Sequence, residues 1–457
     1  MRYDTDMLLK DMLSDPRCIA ILEKHLPGLL PKIQANPMSA SMSLKMLAKY
    51  AKGMIPEQTL SVIDTALEAL NDGSLTQKEK EKIAVYRALY LADHQQKPCR
   101  LPHRQEAIYP GKPWLDTAGK PIQAHGGAVI YENGAYYWYG ENKEHTDGKS
   151  DVWTWGIRCY RSNDLCNWED LGLIIPPELE NPDANLFPDK RIDRPHIVKS
   201  AVTQKFVCWI KLSGAAGCFV ILTADAITGP YQVVRENYRP FDYEVGDFDL
   251  YTDETTGQTY LFETANHDGV YGFLLTDDCL EAKEQVSIQY KGLKPPLTRE
   301  GVALFEANGN KYMFTSGMTG YLPNPSDAAV AADWNAPFVS LGSPHRNDAS
   351  GASFNSQISK VFRIAGTEQW IAMADRWVPE SLLDAQMADQ IARVIGSSSD
   401  PEKYAASAKE REEVMALPGM NDSGLNTAAA DYVWLPVRFE NGKPMIEWLD
   451  AWKPVTE

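Results

Sequence analysis

GGAVIYENGAYYWYGE, residues 126–141, is the stretch on which the fold turns. Two apolar, aromatic-rich runs flank Asn133-Gly134, a dipeptide that accepts positive φ at both central positions of a two-residue turn, so the stretch reads as a β-hairpin. The same strand, turn and strand return as RPHIVKSAVTQKFVCWIKL (194–212), FDLYTDETTGQTYLFE (248–263), GVALFEANGNKYMFTSG (301–317) and ISKVFRIAGTEQWIAMADRW (358–377). The turns recur every ~50–70 residues, the length of a four-stranded blade. A weaker strand pair follows the copies, as in CYRSNDLCNWEDLGLII (159–175), CFVILTADAITGPYQVV (218–234) and VAADWNAPFVSLG (330–342). Five copies predict an all-β five-bladed β-propeller over residues 109–457. YVWLPVRFENGKPMIEWLDAW (432–452) closes its last blade, and a polar, helix-leaning insertion at 379–430 interrupts that blade.

Upstream the period changes from two to 3.6. In PEQTLSVIDTALEALNDG (56–73), Pro56 lies near a helix start. Leu60, Ile63, Leu67 and Leu70 then recur at helical spacing, and Asn71-Asp72-Gly73 supplies a stop. Thr76 is placed to cap a following helix that carries Ile83, Tyr86 and Tyr90 on one face. Residues 1–97 therefore read as a small all-α N-terminal domain suited to packing or oligomerisation. Residues 98–108, with Pro98 and Pro102, read as a linker.

Composition narrows the partners. Apolar residues at 44% supply a core, and the 45 Lys and Arg against 62 Asp and Glu leave a net charge of −17. No block of basic residues occurs, which sets nucleic acid and anionic membranes aside and favours a neutral ligand. The 12 Trp and 21 Tyr suit both propeller strands and stacking on sugar rings. Seven cysteines at irregular spacings, with no CxxC pair, read as reduced thiols. No secretion signal and no apolar stretch near ~20 residues is present, so the expected location is the cytoplasm. A homo-oligomer would form through the N-terminal helices or the 379–430 insertion.

Propeller sites lie where the innermost strands converge. The opening position of the five repeats holds His125, Asp193, Asp247, Glu300 and Gln357. Polar residues at one structural point in every repeat are a poor choice for filling a core. Glu300, entering a buried strand in LTREGVALF, would keep its proton through desolvation, and a nearby carboxylate at Asp247 would reinforce this by like-charge repulsion. Arg299 points to the other face by pleat alternation. Asp249, two residues beyond Asp247, shares its face and is the rival.

Several segments resemble glycoside hydrolase family 43, most closely its exo-β-1,3-galactanase branch. They are IQAHGGAVIYENGAYYWYGENK, SNDLCNWEDLGLII, DRPHIV, REGVALF with NKYMFTSGMTGYLPN, FNSQIS and ADRW, in that order over roughly residues 105–377. The resemblance implies a five-bladed propeller and an inverting hydrolase that releases terminal galactose from β-1,3-linked galacto-oligosaccharides. Alternatives are a related β-galactofuranosidase, α-L-arabinofuranosidase or β-xylosidase, or a sugar-binding propeller without catalysis. It implies Glu300 as general acid and Asp247 as the modulator of its pKa. The family's usual Asp base is missing, since the position reads Ala124-His125-Gly126-Gly127. The branch shares that loss and is thought to use a glutamine, which maps to Gln357. A carboxamide is scarcely basic, so Gln357 would act as a transient imidic acid or by orienting water, and Asp193 is the nearest carboxylate alternative. Glu141, Asp193, Thr319 and Tyr321 are implied sugar contacts. Tyr321 stands where the branch usually has Trp. His125 reads as a sugar contact or a structural histidine rather than a metal ligand, and Trp153 and Trp155 as stacking platforms or packing. No metal or cofactor is required; a structural calcium ion is compatible with the architecture but not indicated.

Overall fold

In the computed structural model, residues 3–26, 42–50, 55–68, 70, 75–94, 103–214, 217–420 and 424–456 are described. The Asn71–Gly73 stop and the prolines of the 98–108 linker lie outside them. Two compact units result: residues 1–96 with 178–187 and 214–216, and residues 97–177, 188–213 and 217–457.

The first unit contains α1 (Leu9–Met12), α2 (Pro16–His25), α3 (Leu44–Tyr50), α4 (Glu57–Glu68) and α5 (Gln77–His94). Asp15 caps α2 by accepting from the Arg17 amide, with Pro16 at the first helical position where no amide partner is needed. The apolar stripe of α4 buries Ile63 and Leu67 against Leu9, Met12, Cys18, Leu22 and Leu44. Thr76 and Glu79 form a reciprocal cap at the start of α5, each side chain engaging the other's backbone amide. None of the described helices is long and apolar enough to cross a membrane.

The second unit is the propeller. Blade 1 holds β1 (His125–Glu132), β2 (Ala135–Glu141), β3 (Ile157–Ser162) and β4 (Glu169–Ile175). Blade 2 holds β5 (Ile192–Lys199), β6 (Phe206–Leu212), β7 (Cys218–Ala224) and β8 (Gln232–Tyr238). Blade 3 holds β9 (Val245–Thr252), β10 (Thr259–Ala265), β11 (Gly269–Leu275) and β12 (Ala282–Gln289). Blade 4 holds β13 (Glu300–Ala307), β14 (Asn310–Ser316), β15 (Asp327–Ala331) and β16 (Val339–Gly342). Blade 5 has five strands: β17 (His345–Arg346), β18 (Gln357–Arg363), β19 (Trp370–Arg376), β20 (Asp431–Glu440) and β21 (Lys443–Glu447). The inner strands β1, β5, β9, β13 and β18 touch in sequence, and β1 meets β18 to close the ring. A backbone pair between Ile108 and Trp452 ties the propeller's first and last segments, at 2.8 and 3.0 Å.

Aromatic rings make much of the seam between the first and last blades. Trp138 is fully buried, with ring centroids of Trp114, Trp168, Tyr432 and Trp434 at 5.3, 5.3, 4.6 and 4.5 Å. Its indole N–H donates to the Ala124 carbonyl at 3.2 Å, so the polar handle is satisfied inside the core. The insertion forms α6 (Ala385–Gly396) and α7 (Ala408–Met415), which pack Ile391, Val394 and Val414 around Leu322 of blade 4. It is pinned to the propeller where the Gly419 carbonyl accepts from the Tyr321 amide at 3.0 Å, and where Asn355 and Leu383 exchange two hydrogen bonds.

Candidate active site

Every inner hairpin carries the same irregularity. Counting back from the turns, the pairing slips by one residue near the start of all five inner strands. In β9 the residue beyond the slip is Val245, paired with Ala265, so Asp247 lies within the bulge, two residues past the opening position expected for it. Beyond the slip His125 pairs with Glu141, Asp193 with Lys211, Glu300 with Ser316 and Gln357 with Asp375. Such β-bulges bend a strand and re-aim the side chain beside them. Gly126, Arg194 and Gly301 follow the first, second and fourth opening residues and have φ of +57°, +48° and +61°. Paired residues share a sheet face, so blades 1, 2, 4 and 5 each bring two polar side chains to the start of the inner strand.

Glu300 and Asp247 meet there. The Asp247 Oδ2 accepts from the Gly301 amide at 3.1 Å and lies 2.9 Å from Arg194 Nε, while its Oδ1 lies 2.6 Å from Lys211 Nζ. Burial opposes its ionisation, but Arg194 and Lys211 hold it well below the usual carboxylate range. Glu300 moves the other way. Desolvation, followed by repulsion from Asp247, lifts its pKa to about 8, against the pull of Lys211, Arg194 and a hydrogen bond from Gln357. Arg299 turns away and donates to the Pro325 carbonyl. Asp249 lies one layer deeper, fully buried between Lys360 Nζ at 2.7 Å and His196 Nδ1 at 3.2 Å.

Gln357 stands beside Glu300. Its Oε1 accepts from Arg194 Nη2 and from Trp377 Nε1, and its Nε2 donates to Ser316 Oγ at 2.9 Å. A narrow crevice lined by Ser316, Tyr321, Asn355, Gln357, Asp375 and Trp377 opens over it. Tyr321 bridges Trp153 and Trp377, with ring centroids 6.2 and 5.6 Å away. Trp153 donates its indole N–H to Asp193 at 2.8 Å and faces the site. Trp155 is buried and packs edge-on to His145.

The remaining expected residues are held more tightly than a sugar contact would require. His125 is entirely enclosed, with Nδ1 3.2 Å from Asp375 and Nε2 3.2 Å from Gln123 and 3.3 Å from the Tyr432 hydroxyl. This enclosure fits the structural alternative of the two read for it, with the ring buttressing Asp375. Glu141 accepts from the Arg194 amide and pairs with Lys143, each at 2.8 Å. Burial raises its pKa against the opposing Lys143 charge. Asp193 accepts from Trp153 and Ser213 and lies 3.7 Å from Lys211. The Thr319 hydroxyl donates to the Leu322 carbonyl at 2.6 Å and accepts from Asn324 at 2.7 Å, so it shapes the Tyr321 loop.

Arg194, Lys211, Ser316, Asp375 and Trp377 were not singled out from sequence. Arg194 is the hub. Burial works against its charge, but Asp247, Glu300, Glu141 and Asp375 together hold the guanidinium above its ordinary range. Lys211, Ser316 and Asp375 stand at the far end of each second strand, one residue off the position that counting from the turn gives, so only the bulged register finds them.

A proton-bearing carboxyl beside an ionised one, in the mouth of a five-bladed propeller, is equipment suited to cleaving a glycosidic bond. The comparisons narrow it. Residues 120–337 match the model described as glycosyl hydrolases family 43, so the likeness read from the motifs holds through the third strand of blade 4. The fold is similar to that of a solved family 43 β-1,3-galactosidase at 27% identity and TM-score 0.60, covering 76% of this chain and 64% of that one. This chain thus spans less than two thirds of that protein. An exo-β-1,3-galactanase from Phanerochaete chrysosporium (22% identity, TM-score 0.60, 77% and 69% coverage), solved with galactose, shares the fold. So does one from Clostridium thermocellum (23%, 0.57, 76% and 66%). No curated protein matches the chain.

Proposed function

We propose that the protein is an inverting, exo-acting glycoside hydrolase that removes terminal galactose from β-1,3-linked galacto-oligosaccharides. The observation that carries this reading is the Glu300 carboxyl, lifted to about 8 by burial and by Asp247, whose Oδ2 accepts from the Gly301 amide next to it. At neutral pH it holds the proton that a departing glycosidic oxygen needs. Tyr321 and Trp377 at the crevice wall offer an aromatic face against which a terminal sugar would pack. The motif likeness, and what the similar galactosidase is named for, support galactose as that sugar.

A panel of chromogenic glycosides together with β-1,3-galactobiose tests the specificity. Release of galactose is expected; release of arabinofuranose, galactofuranose or xylose instead would move the assignment within the family. NMR of the first-formed anomer should show α-galactose, and a β product contradicts inversion. Glu300→Gln should cut turnover by ~10²–10⁴ while leaving binding intact. Near-native turnover in that variant removes the acid assignment.

A further inference from the structure

We propose that Asp375, rather than Gln357, is the general base that takes the proton of the attacking water. This rests on the hydrolase reading above. Gln357 can serve as a base only as the imidic acid, with hydrogen on Oε1. That oxygen instead faces two donors, the Arg194 guanidinium and the Trp377 indole N–H, while Nε2 is committed as a donor to Ser316. The charged donor on Oε1 stabilises the amide form, so Gln357 is fixed as a group that orients.

Asp375 has what Gln357 lacks. It pairs directly across from Gln357 on the neighbouring strand, so the two side chains share a face, and it is the carboxylate among the residues lining the crevice. Other carboxyl groups of the cluster lie against cations: Glu141 against Lys143, and Asp247 against Lys211 and Arg194, with Asp193 near Lys211. The hydrogen-bond partners of Asp375 are instead the Gly126 amide at 3.1 Å and the His125 ring at 3.2 Å. These hold both oxygens in place without an ammonium or guanidinium directly on the carboxylate.

In the step assigned to it, the water oxygen bonds to the anomeric carbon on the face opposite the leaving oxygen, and its proton passes to Asp375. The anomeric C–O bond breaks with its electron pair going to the leaving oxygen, which takes the proton of Glu300. One proton then returns from Asp375 to Glu300 through solvent, restoring both groups.

The test uses the full chain, an aryl β-galactoside and β-1,3-galactobiose, and the variants Asp375→Asn, Asp375→Ala and Gln357→Ala. Both Asp375 variants should lose ~10²–10⁴ in kcat with little change in KM. Azide should restore turnover of the aryl galactoside by Asp375→Ala and yield α-galactosyl azide, a response that a merely structural role would not give. Gln357→Ala should act mainly on KM and ignore azide. Near-native kcat in Asp375→Asn overturns the proposal, as does azide rescue of Gln357→Ala in place of Asp375→Ala. Loss in both Asp375 variants without any azide response, at an unchanged melting temperature for Asp375→Asn, overturns it too. If the unaltered enzyme cleaves no galactoside, the functional reading fails; an active enzyme with an active Asp375→Asn sinks only the base.

Discussion

Glu300 and Asp247 are chemically similar side chains pushed in opposite directions by where their cations sit. Arg194 and Lys211 both contact Asp247, so the ionised form of that residue is held and the neighbouring Glu300 keeps its proton. The sign of the pH dependence follows. An acid works only while protonated, so kcat/KM should fall as pH rises through about 8. Asp247→Asn removes the repelling charge and frees two cations to act on Glu300, and both changes lower its pKa. The alkaline limb of the pH–rate profile should therefore move to lower pH in that variant. A limb that stays in place contradicts the assigned pair. Glu300 was legible in the sequence from its position in the repeat, whereas Asp247, chosen by the same reading, lies two residues beyond the equivalent position, which Val245 fills. Arg194 was not, because a cation beside a proline in DRPHIV gives no hint that it joins four carboxyls.

The element that builds the site is the bulged inner hairpin. In blade 4, Gly301 sits at φ +61°, and a Cβ there would lie 2.7 Å from Ser316 Oγ and 3.1 Å from Gln357 Nε2. Gly134, in the tip of the first hairpin, also has positive φ but has nothing within 4 Å of an added Cβ. Alanine at either position costs ~1–2 kcal/mol for the left-handed backbone. Gly301→Ala should in addition push against Ser316 and Gln357, shift the adjacent Glu300 and reduce kcat by ~10-fold or more, since small misplacements of a reacting group are expensive. Gly134→Ala should lose stability and keep its kcat. Thermal melts and steady-state kinetics on the two variants separate these outcomes, and equal kinetic losses would deny the bulge its role. The hairpins themselves were plain from Asn133-Gly134 and Asn308-Gly309. The bulges were not. Strict counting from the turn at 366–367 places Arg376 opposite Gln357, whereas the slip brings in Asp375. One residue of register changes which side chain shares the face.

At the scale of the molecule, ring closure is an aromatic problem. Trp138 lies at the seam where blade 1 meets blade 5 and touches rings from both. Trp138→Ala should destabilise the propeller by ~3–5 kcal/mol, through lost burial and an incompletely collapsed cavity. Denaturant unfolding measures this directly, and a loss below ~1 kcal/mol would mean that the seam is held elsewhere. The 379–430 insertion belongs to the same scale. Its helix-forming character was visible in the sequence, but its anchorage on Tyr321, Asn355 and Leu322 was not, because those contacts join residues far apart in the chain.

Local physics was enough for the blades, the N-terminal helices and Glu300. Period-two patterning, turn dipeptides and position within a repeat are properties of short stretches, readable without knowing what lies across the channel. What needed the tertiary structure was everything set by convergence. The pinning of Gln357 by Arg194 and Trp377, the enclosure of His125 behind Asp375, and the presence of Asp375 at the crevice depend on five strands meeting at one mouth. Each strand arrives there shifted by a bulge that no single stretch of sequence announces.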